Sequence, residues 1–545
     1  MTATHTTASR SAAEDPDLDY DAIVIGAGFA GLLMLHELRQ RGFSARVIEE
    51  APEVGGTWYW NRYPGARTDS ESWVYAYSFS KELMDEWEWS ERFTRQPEAL
   101  AYLKHVADRF DLRKDIQFDT KVVSAERDAQ LNVWNTTTDS GEKLTSRYLI
   151  SAVGPLSAVY RPDFVGLDEF EGEWAMTARW PETGIDLTDK RVAVIGTGAT
   201  AVQLIPIAAH VAKELTVFQR TPNYVLPARN YVLTDEERHA IRTDYDAIWE
   251  KARNQFFGFP LNMAGRTAAD VTPEEHQKIL EWGWESGGFK FVFETFDDIF
   301  LDENSNEIAS EFIRNKIRTI VKNPETAELL CPKDYPFVGK RPPLGHFYYE
   351  TYNRENVQLV DVSEEPISRI TAKGVQVGDT EYEADILIFA TGFDAATGSI
   401  TRIDIRGDDG TSVEDKWQDG AKTHLGLAVD GFPNMFMIFG PHAPFANGPV
   451  IMEGMTKWVG NALEYARAEG ISRIEAEPEA VEQWGELLIE LLNATVVPKG
   501  RNNYFVGANI PGKANSPVFF LGGAKAYNEA CQAAAEKGYE GFRLT

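Results

Sequence analysis

Two short stretches carry the residue types that hold a dinucleotide. GAGFAG, Gly26 to Gly31, and GTGATA, Gly196 to Ala201, each close a short apolar run and open a helix-like run. In the first, Gly26 allows the bend, Gly28 lets backbone approach a pyrophosphate at a helix N-terminus, and Gly31 lets helix and strand pack closely. Gly196, Gly198 and Ala201 fill the same positions in the second. The two units differ in the charge at their far ends: Glu49 stands 23 residues after Gly26, and Arg220 stands 24 residues after Gly196. A carboxylate there accepts hydrogen bonds from ribose hydroxyls and repels a 2'-phosphate, whereas a guanidinium grips that phosphate bidentately. The first unit is therefore expected to hold FAD and the second NADPH, with Thr221 adding a hydroxyl to the phosphate contact. The alternative for Arg220 is a plain surface charge at a strand end. Lys340 and Arg341 form a further cationic pair, on a loop between Gly339 and the Pro342–Pro343 pair. Polar chains on a proline-rigidified loop suit binding better than packing.

The elements that must position these groups are legible around them. DAIVIGAGFAGLLMLHELRQRGFSARVIEE, Asp21 to Glu50, reads as strand, tight turn, amphipathic helix and strand, and DKRVAVIGTGATAVQLIPIAAHVAKELTVFQR repeats it. EVGGTWYWNRYPGARTDSESWVYAYSF, Glu53 to Phe79, has no sustained period and reads as an ordered loop lining a ligand. Gly56, Thr57 and Trp58 are its candidate cofactor contacts. Trp58, Tyr59 and Trp60 read equally well as core filler, and Asp69 as a solvated turn residue. Strands are expected near 120–135 and 145–153. Residues 233–330 carry helix caps and helical periodicity with no evident chemistry, although Phe256, Phe257 and Phe259 either border a substrate cavity or fill core. DILIFATGFDA, Asp385 to Ala395, is a strand ending at Thr391 and Gly392, the turn at which several two-dinucleotide flavoproteins return the chain to the first unit. The final part alternates strand and loop signals, with one helical run near 453–467.

The expected fold is α/β, with two Rossmann-like dinucleotide-binding domains and a helical insertion. The division is a flexible N-terminal tail over 1–19, an FAD-binding domain over 20–155 and 386–545, an NADPH-binding domain over 156–232 and 331–385, and the insertion over 233–330. With 545 residues, 43% of them hydrophobic, the chain can bury several sizeable cores. Its net charge of -30, from 84 acidic against 54 basic residues, argues against affinity for nucleic acid or for an anionic membrane surface. The two cysteines, Cys331 and Cys531, support neither a disulfide framework nor a thiol redox centre, which removes the disulfide reductases. No signal peptide and no uncharged 18-residue apolar run occurs, so a cytoplasmic enzyme without a membrane partner is expected.

From about Asp21 to the C-terminus the chain strongly resembles the type I Baeyer–Villiger monooxygenases, the phenylacetone and cyclohexanone monooxygenase group. GAGFAG, GGTWYWNRYPGAR, GTGAT, VFQRTPN, ATGFDA, IDIRG and GYEGF carry the likeness. The family's fingerprint is FxGxxxHxxxW followed by Pro or Asp; Phe170, Gly172, Trp180 and Pro181 match it, and Met176 stands at the histidine position. The resemblance implies an NADPH- and O2-dependent flavoprotein that inserts one oxygen beside a ketone carbonyl, through a C4a-peroxyflavin, to give an ester or lactone. It makes Arg341 the stabiliser of the peroxide anion and the oxyanion, and Asp69 the carboxylate that orients it. It gives Lys340 and Arg220 to the 2'-phosphate, and adds Thr200 and Gln203 to the second nucleotide site. Tyr504 stands where relatives commonly have a tryptophan on a mobile loop over the nicotinamide and substrate. The fingerprint histidine belongs to a linker that couples the two cofactor sites, and methionine can neither donate from an imidazole nor titrate. Met176 either fills the same space in a competent variant or loosens the coupling. Flavin N- or S-oxygenation, or an uncoupled NADPH oxidase, are the alternative activities; no metal is called for, and a monomer or weak homo-oligomer is expected.

Overall fold

The computed structural model describes residues 17–545, so nearly all of the expected tail over 1–19 lies outside the described residues. Among the described residues the chain builds two main sheets, and each has a glycine turn at its centre. The first, eight-stranded sheet runs in the order Asp404–Arg406, Val122–Asp128, Val133–Thr138, Lys143–Ser151, Tyr20–Ile25, Ala45–Ile48 and Ile116–Gln117, and Met435–Met437 also pairs with Lys143–Ser151. One edge of Lys143–Ser151 is divided between two partners. Lys143 to Ser146 pair antiparallel with Val133–Thr138, and Leu149 to Ser151 pair parallel with Met435–Met437. Strands expected over 120–135 and 145–153 are thus three, with a turn inside the first expected span.

The second sheet is parallel throughout, in the order Val357–Asp361, Glu214–Gln219, Arg191–Ile195, Ile386–Phe389 and Glu173–Met176. Ile386–Phe389, placed in the first unit by the division expected from the sequence, pairs on both sides within this second sheet. The chain leaves the second unit at the turn after Phe389, because a strand belongs to the sheet that satisfies its backbone groups.

The repeat of strand, turn, helix and strand is present in both sheets. Phe29–Gln40 follows the first turn and Ala199–Val211 the second. Leu32, Leu33, Leu35 and Leu38 of the first helix are almost fully buried, each worth about 1.5 to 3 kcal/mol relative to an exposed side chain. This helix packs against Gly448–Glu469, whose Gly460 leaves room for the Arg41 guanidinium.

The insertion contains Asp235–Thr243, Tyr245–Asn254, Pro273–Ser286, Glu303–Ile320 and Pro324–Leu330. Thr234, Thr272, Asp302 and Asn323 cap four of these helices with their side chains. The segment divides between two cores: Tyr245, Trp249 and Ala252 pack with the first sheet's helices, whereas Leu280, Trp284, Phe312 and Ile313 pack with the second sheet. Near the C-terminus the structure is more helical than expected. Gly448–Glu469 is joined by Pro478–Asn493 and Ala524–Glu536. Val481, Trp484, Leu488 and Leu492 share one buried face of the second of these, a helical spacing that the sequence displays. No helix among the described residues is long and apolar enough to cross a membrane.

Candidate active site

The two helices that follow the glycine turns have no side-chain cap at their first turns. Gly28 and Gly198 occupy the cap positions, which leaves the initial N–H groups without a side-chain acceptor. The backbone is shaped to bring a ligand to them. Gly26 has φ +100°, and a Cβ there would lie 2.8 Å from the Ala152 carbonyl oxygen; one on Gly31 would lie 1.8 Å from the Gly26 oxygen. Gly56 crosses Gly28 so closely that a Cβ on it would stand 3.0 Å from the Gly28 Cα. Two bare backbones therefore line the first helix N-terminus, a cradle that fits a pyrophosphate. At the second turn Gly196, φ +112°, abuts the Ala390 oxygen, while a Cβ on Gly198 would meet nothing within 4 Å. That turn opens outward.

Glu49 is more occupied than its spacing suggests. Its two oxygens accept from the Ala27 and Ala51 amides at 2.6 and 2.8 Å. Burial raises its pKa, and the two hydrogen bonds oppose that rise. The carboxylate first holds the turn in shape, and a ribose hydroxyl is left the remaining lone pairs. Of the loop residues, Thr57 is exposed, whereas Trp58 is buried in the first core with its indole N–H donated to the Tyr75 hydroxyl at 3.3 Å. Thr391 donates its hydroxyl to the Tyr160 carbonyl at 2.9 Å, and the Gly392 carbonyl accepts from the Tyr160 amide at 3.1 Å.

Between the turns, Arg341 donates from Nη2 to Asp69 Oδ2 at 2.5 Å. The Asp69 side chain is 7% exposed and that of Arg341 27%, so Asp69 is no solvated turn residue. Gln203, on the helix of the second turn, reaches Asp69 Oδ1 at 3.5 Å and the Arg67 carbonyl at 3.1 Å, and its own Oε1 accepts from the Tyr63 hydroxyl at 2.8 Å. Thr200 of the same helix also bonds to that hydroxyl. Burial by itself would lower the Arg341 pKa, but the charge and hydrogen bond of Asp69, with smaller contributions from Tyr504 and Tyr63, oppose it, and the net shift is upward. Its neighbours stay neutral: burial pushes Tyr75 and Tyr504 up to about 12. Asp69 is the only acceptor among the described residues for any of the five Arg341 N–H groups. A permanently charged, half-buried guanidinium with unused donors is suited to a developing anion. The Phe289 ring lies 5.8 Å from its carbon. Tyr504 is half-buried and stacks on Phe505 at 4.9 Å; Phe505 in turn meets Phe445 at 4.5 Å, and Phe445 meets Phe257 at 6.0 Å. Phe257 and Phe259 are buried and Phe256 is partly exposed.

Arg220 and Lys340 sit together beside the second turn. Burial, then the charges of Arg220 and Arg501, bring the Lys340 pKa down to about 8. Neither Arg220 nor Lys340 has an ion-pair partner among the described residues, although Lys340 lies 5.5 Å from the Tyr335 ring centre. The Thr221 hydroxyl accepts from Asn502 Nδ2 at 3.4 Å. Two unpaired cations at an open helix N-terminus fit a phosphate of a bound dinucleotide.

The fingerprint stretch bridges the units. Met176 ends the edge strand Glu173–Met176 opposite Phe389 and is half-buried in the apolar cluster that contains Phe170 and Phe389. A Cβ on Gly172 would lie 2.4 Å from the Asp385 oxygen and 2.5 Å from the Phe170 ring, so the chain is bare where that ring folds over it. Trp180 is buried in the second core, and Pro181 leads out to Glu182, which pairs with Arg62 at 3.0 Å. Arg179 lies 3.8 Å over the Trp60 ring and reaches Glu50 at 3.5 Å, both in the first unit. Sequence reasoning missed Arg179, Tyr63 and Phe289. Arg179 and Tyr63 lie inside the fingerprint stretch and the GGTWYWNRYPGAR loop, and nothing in the sequence marks Phe289.

A pyridine nucleotide-disulphide oxidoreductase family model matches residues 20–245. Cys331 and Cys531 are both buried and unpaired, so the likeness concerns the nucleotide-binding plan. The chain is 44% identical over 524 residues to a Baeyer–Villiger monooxygenase of Pseudooceanicola batsensis, covering 96% of this chain and 95% of that one. It is also 44% identical over 528 residues to a phenazine N-monooxygenase of Lysobacter antibioticus, covering 96% and 97%. The closed crystal structure of cyclohexanone monooxygenase matches with a TM-score of 0.94 at 44% identity, over 96% of this chain and 99% of that one. The crystal structure of OTEMO in complex with FAD and NADP matches with a TM-score of 0.94 at 41% identity, over 97% and 100%.

Proposed function

The chain belongs to the Baeyer–Villiger monooxygenases, and from that membership we propose that it is an FAD- and NADPH-dependent enzyme that uses O2 to insert one oxygen beside a ketone carbonyl, giving an ester or lactone. The observation that carries the reading is Arg341, held by Asp69 in a half-buried position between the two glycine turns. The first sheet's cradle at Gly28 and Gly56 suits the FAD pyrophosphate, and the open second turn with Arg220, Lys340 and Thr221 suits NADPH. When bound, the flavin takes electrons from NADPH and supplies the site of O2 activation. The chain's own contribution is position and charge. Asp69 holds one Arg341 donor, and Gln203 stands within 3.5 Å of the other Asp69 oxygen, so the carboxylate orients the guanidinium. Its free N–H groups are available to the ketone oxygen as negative charge develops there. Phe257, Phe445, Tyr504 and Phe505 form an apolar wall that would exclude water and pack against the hydrocarbon part of a ketone.

A monomer or weak homo-oligomer is the proposed working unit. Two buried, unpaired cysteines support a cytoplasmic setting. The test is a panel of cyclic and linear ketones with product identification and the ratio of ester formed to NADPH consumed. Ester in near-stoichiometric yield is expected, and peroxide in place of ester refutes oxygen insertion. The phenazine N-monooxygenase relative motivates a second reading, N-oxygenation of an aromatic heterocycle. N-oxide that survives Arg341→Ala, with no ester from any ketone, would favour it.

A further inference from the structure

A third cation stands beside Arg220 and Lys340, on a different part of the chain. Gly339, just before Lys340, and Gly500, just before Arg501, cross backbone to backbone: a Cβ on Gly500 would lie 1.8 Å from the Gly339 oxygen, and one on Gly339 would lie 3.2 Å from the Gly500 Cα. This crossing fixes Arg501 next to the phosphate-reading loop. Asn502 continues the same strap and donates to the Thr221 hydroxyl at 3.4 Å, one residue from Arg220. The charge of Arg501 also reaches Lys340, where it adds to the downward shift caused by burial and by Arg220. Three basic residues therefore converge, and among the described residues a single carboxylate pairs with any of them. That carboxylate is Asp334, which pairs with Arg501 Nη1 at 2.5 Å, both side chains being about half exposed. Exposed pairs of this kind are weak and exchange readily. A phosphate monoester carries about -1.5 to -2 charge at pH 7 and three acceptor oxygens, more than one cation can satisfy.

We propose that Arg501 is a third reader of the NADPH 2'-phosphate, held by Asp334 in the free protein and transferred to the phosphate when the dinucleotide binds. The inference rests on the assignment of the second turn to NADPH. Arg501 then determines cofactor preference, and Asp334 is the acceptor that competes with the phosphate for it.

The test is calorimetric titration of the flavin-loaded protein with NADP+ and NAD+, for wild type, Arg501→Ala, Asp334→Asn and Arg220→Ala. Loss of one charge-assisted contact should weaken NADP+ about tenfold in Arg501→Ala and leave NAD+ within about twofold. Asp334→Asn should tighten NADP+ by a few-fold and leave NAD+ unchanged, and the NAD+ affinity itself reports that each variant is folded. Equal changes for the two nucleotides in Arg501→Ala, or none, overturn the role of Arg501. If Arg220→Ala still discriminates in that case, the NADPH assignment stands without Arg501; if Arg220→Ala also fails to discriminate, the assignment and the inference fall together.

Discussion

Asp69→Asn tests the arrangement at its centre. The substitution keeps the size of the side chain and removes the charge that faces Arg341 Nη2 at 2.5 Å. With Asp69 only 7% exposed, solvent screens the pair weakly on that side, but the 27% exposure of Arg341 caps the loss. A charge-assisted hydrogen bond is worth about 1.5 to 3 kcal/mol, so orientation of Arg341 should weaken by about 2 kcal/mol, or roughly 30-fold in any step that depends on it. The assay is stopped-flow reduction of the flavin by NADPH, read alongside ester formation under steady state. Both rates should fall by about that factor, with NADPH affinity changing less, because Arg220 and Lys340 are untouched. The variant should also lose thermal stability, since Arg341 stays partly buried without its counter-charge. A reduction rate and an ester yield within twofold of wild type would refute the claim that Asp69 positions Arg341.

Other expectations follow from the same geometry. Lys340, pushed down to about 8 by burial and by Arg220 and Arg501, must be protonated to hold a phosphate. NADP+ affinity should therefore be full below pH 8 and fall by up to about tenfold per unit above it, with NAD+ unaffected; a flat NADP+ profile from pH 7 to 9 would remove Lys340 from the site. Met176→His should leave the ratio of ester to NADPH unchanged, because Met176 is seated by its strand pairing with Phe389 in an apolar cluster. A large rise in that ratio would show that the methionine had loosened the linker. Gly31→Ala would force a Cβ to within 1.8 Å of the Gly26 oxygen, costing about 1 to 3 kcal/mol and much of the bound flavin, whereas Gly485→Ala, in the helix Pro478–Asn493 with nothing within 4 Å, should purify with its full flavin content. Flavin absorbance per protein and a thermal melt decide between these.

The two nucleotide units were legible because their requirements are local: a bare turn, a helix, a strand and an end charge, all within about thirty residues. The proline-rigidified loop marks Arg341 as a binding residue, but its pairing with Asp69, 272 residues away, is legible only through family likeness. The contact of Gln203 with Tyr63 and Asp69 depends on how the Glu53 to Phe79 loop seats on the helix Ala199–Val211. A Cβ on Gly65 would lie 2.4 Å from the Gln203 carbonyl oxygen, so that seating is set by backbone contact across the units. The spacing of Glu49 reports that a carboxylate is present but not that it also accepts from the Ala27 and Ala51 amides, which only the folded turn shows. The strand Ile386–Phe389 reads as an apolar run that either sheet could accept, and only pairing decides which.

The divided edge of Lys143–Ser151 bears on how the protein is made. Its last residues, Leu149 to Ser151, wait for Met435–Met437, which the ribosome delivers some 280 residues later. At about 5 to 20 residues per second, the first nucleotide unit spends roughly 15 to 60 s with that stretch of strand unpaired. Nascent chains that stop near residue 400 should consequently present an open β-edge, the kind of surface that chaperones bind and that leads to aggregation.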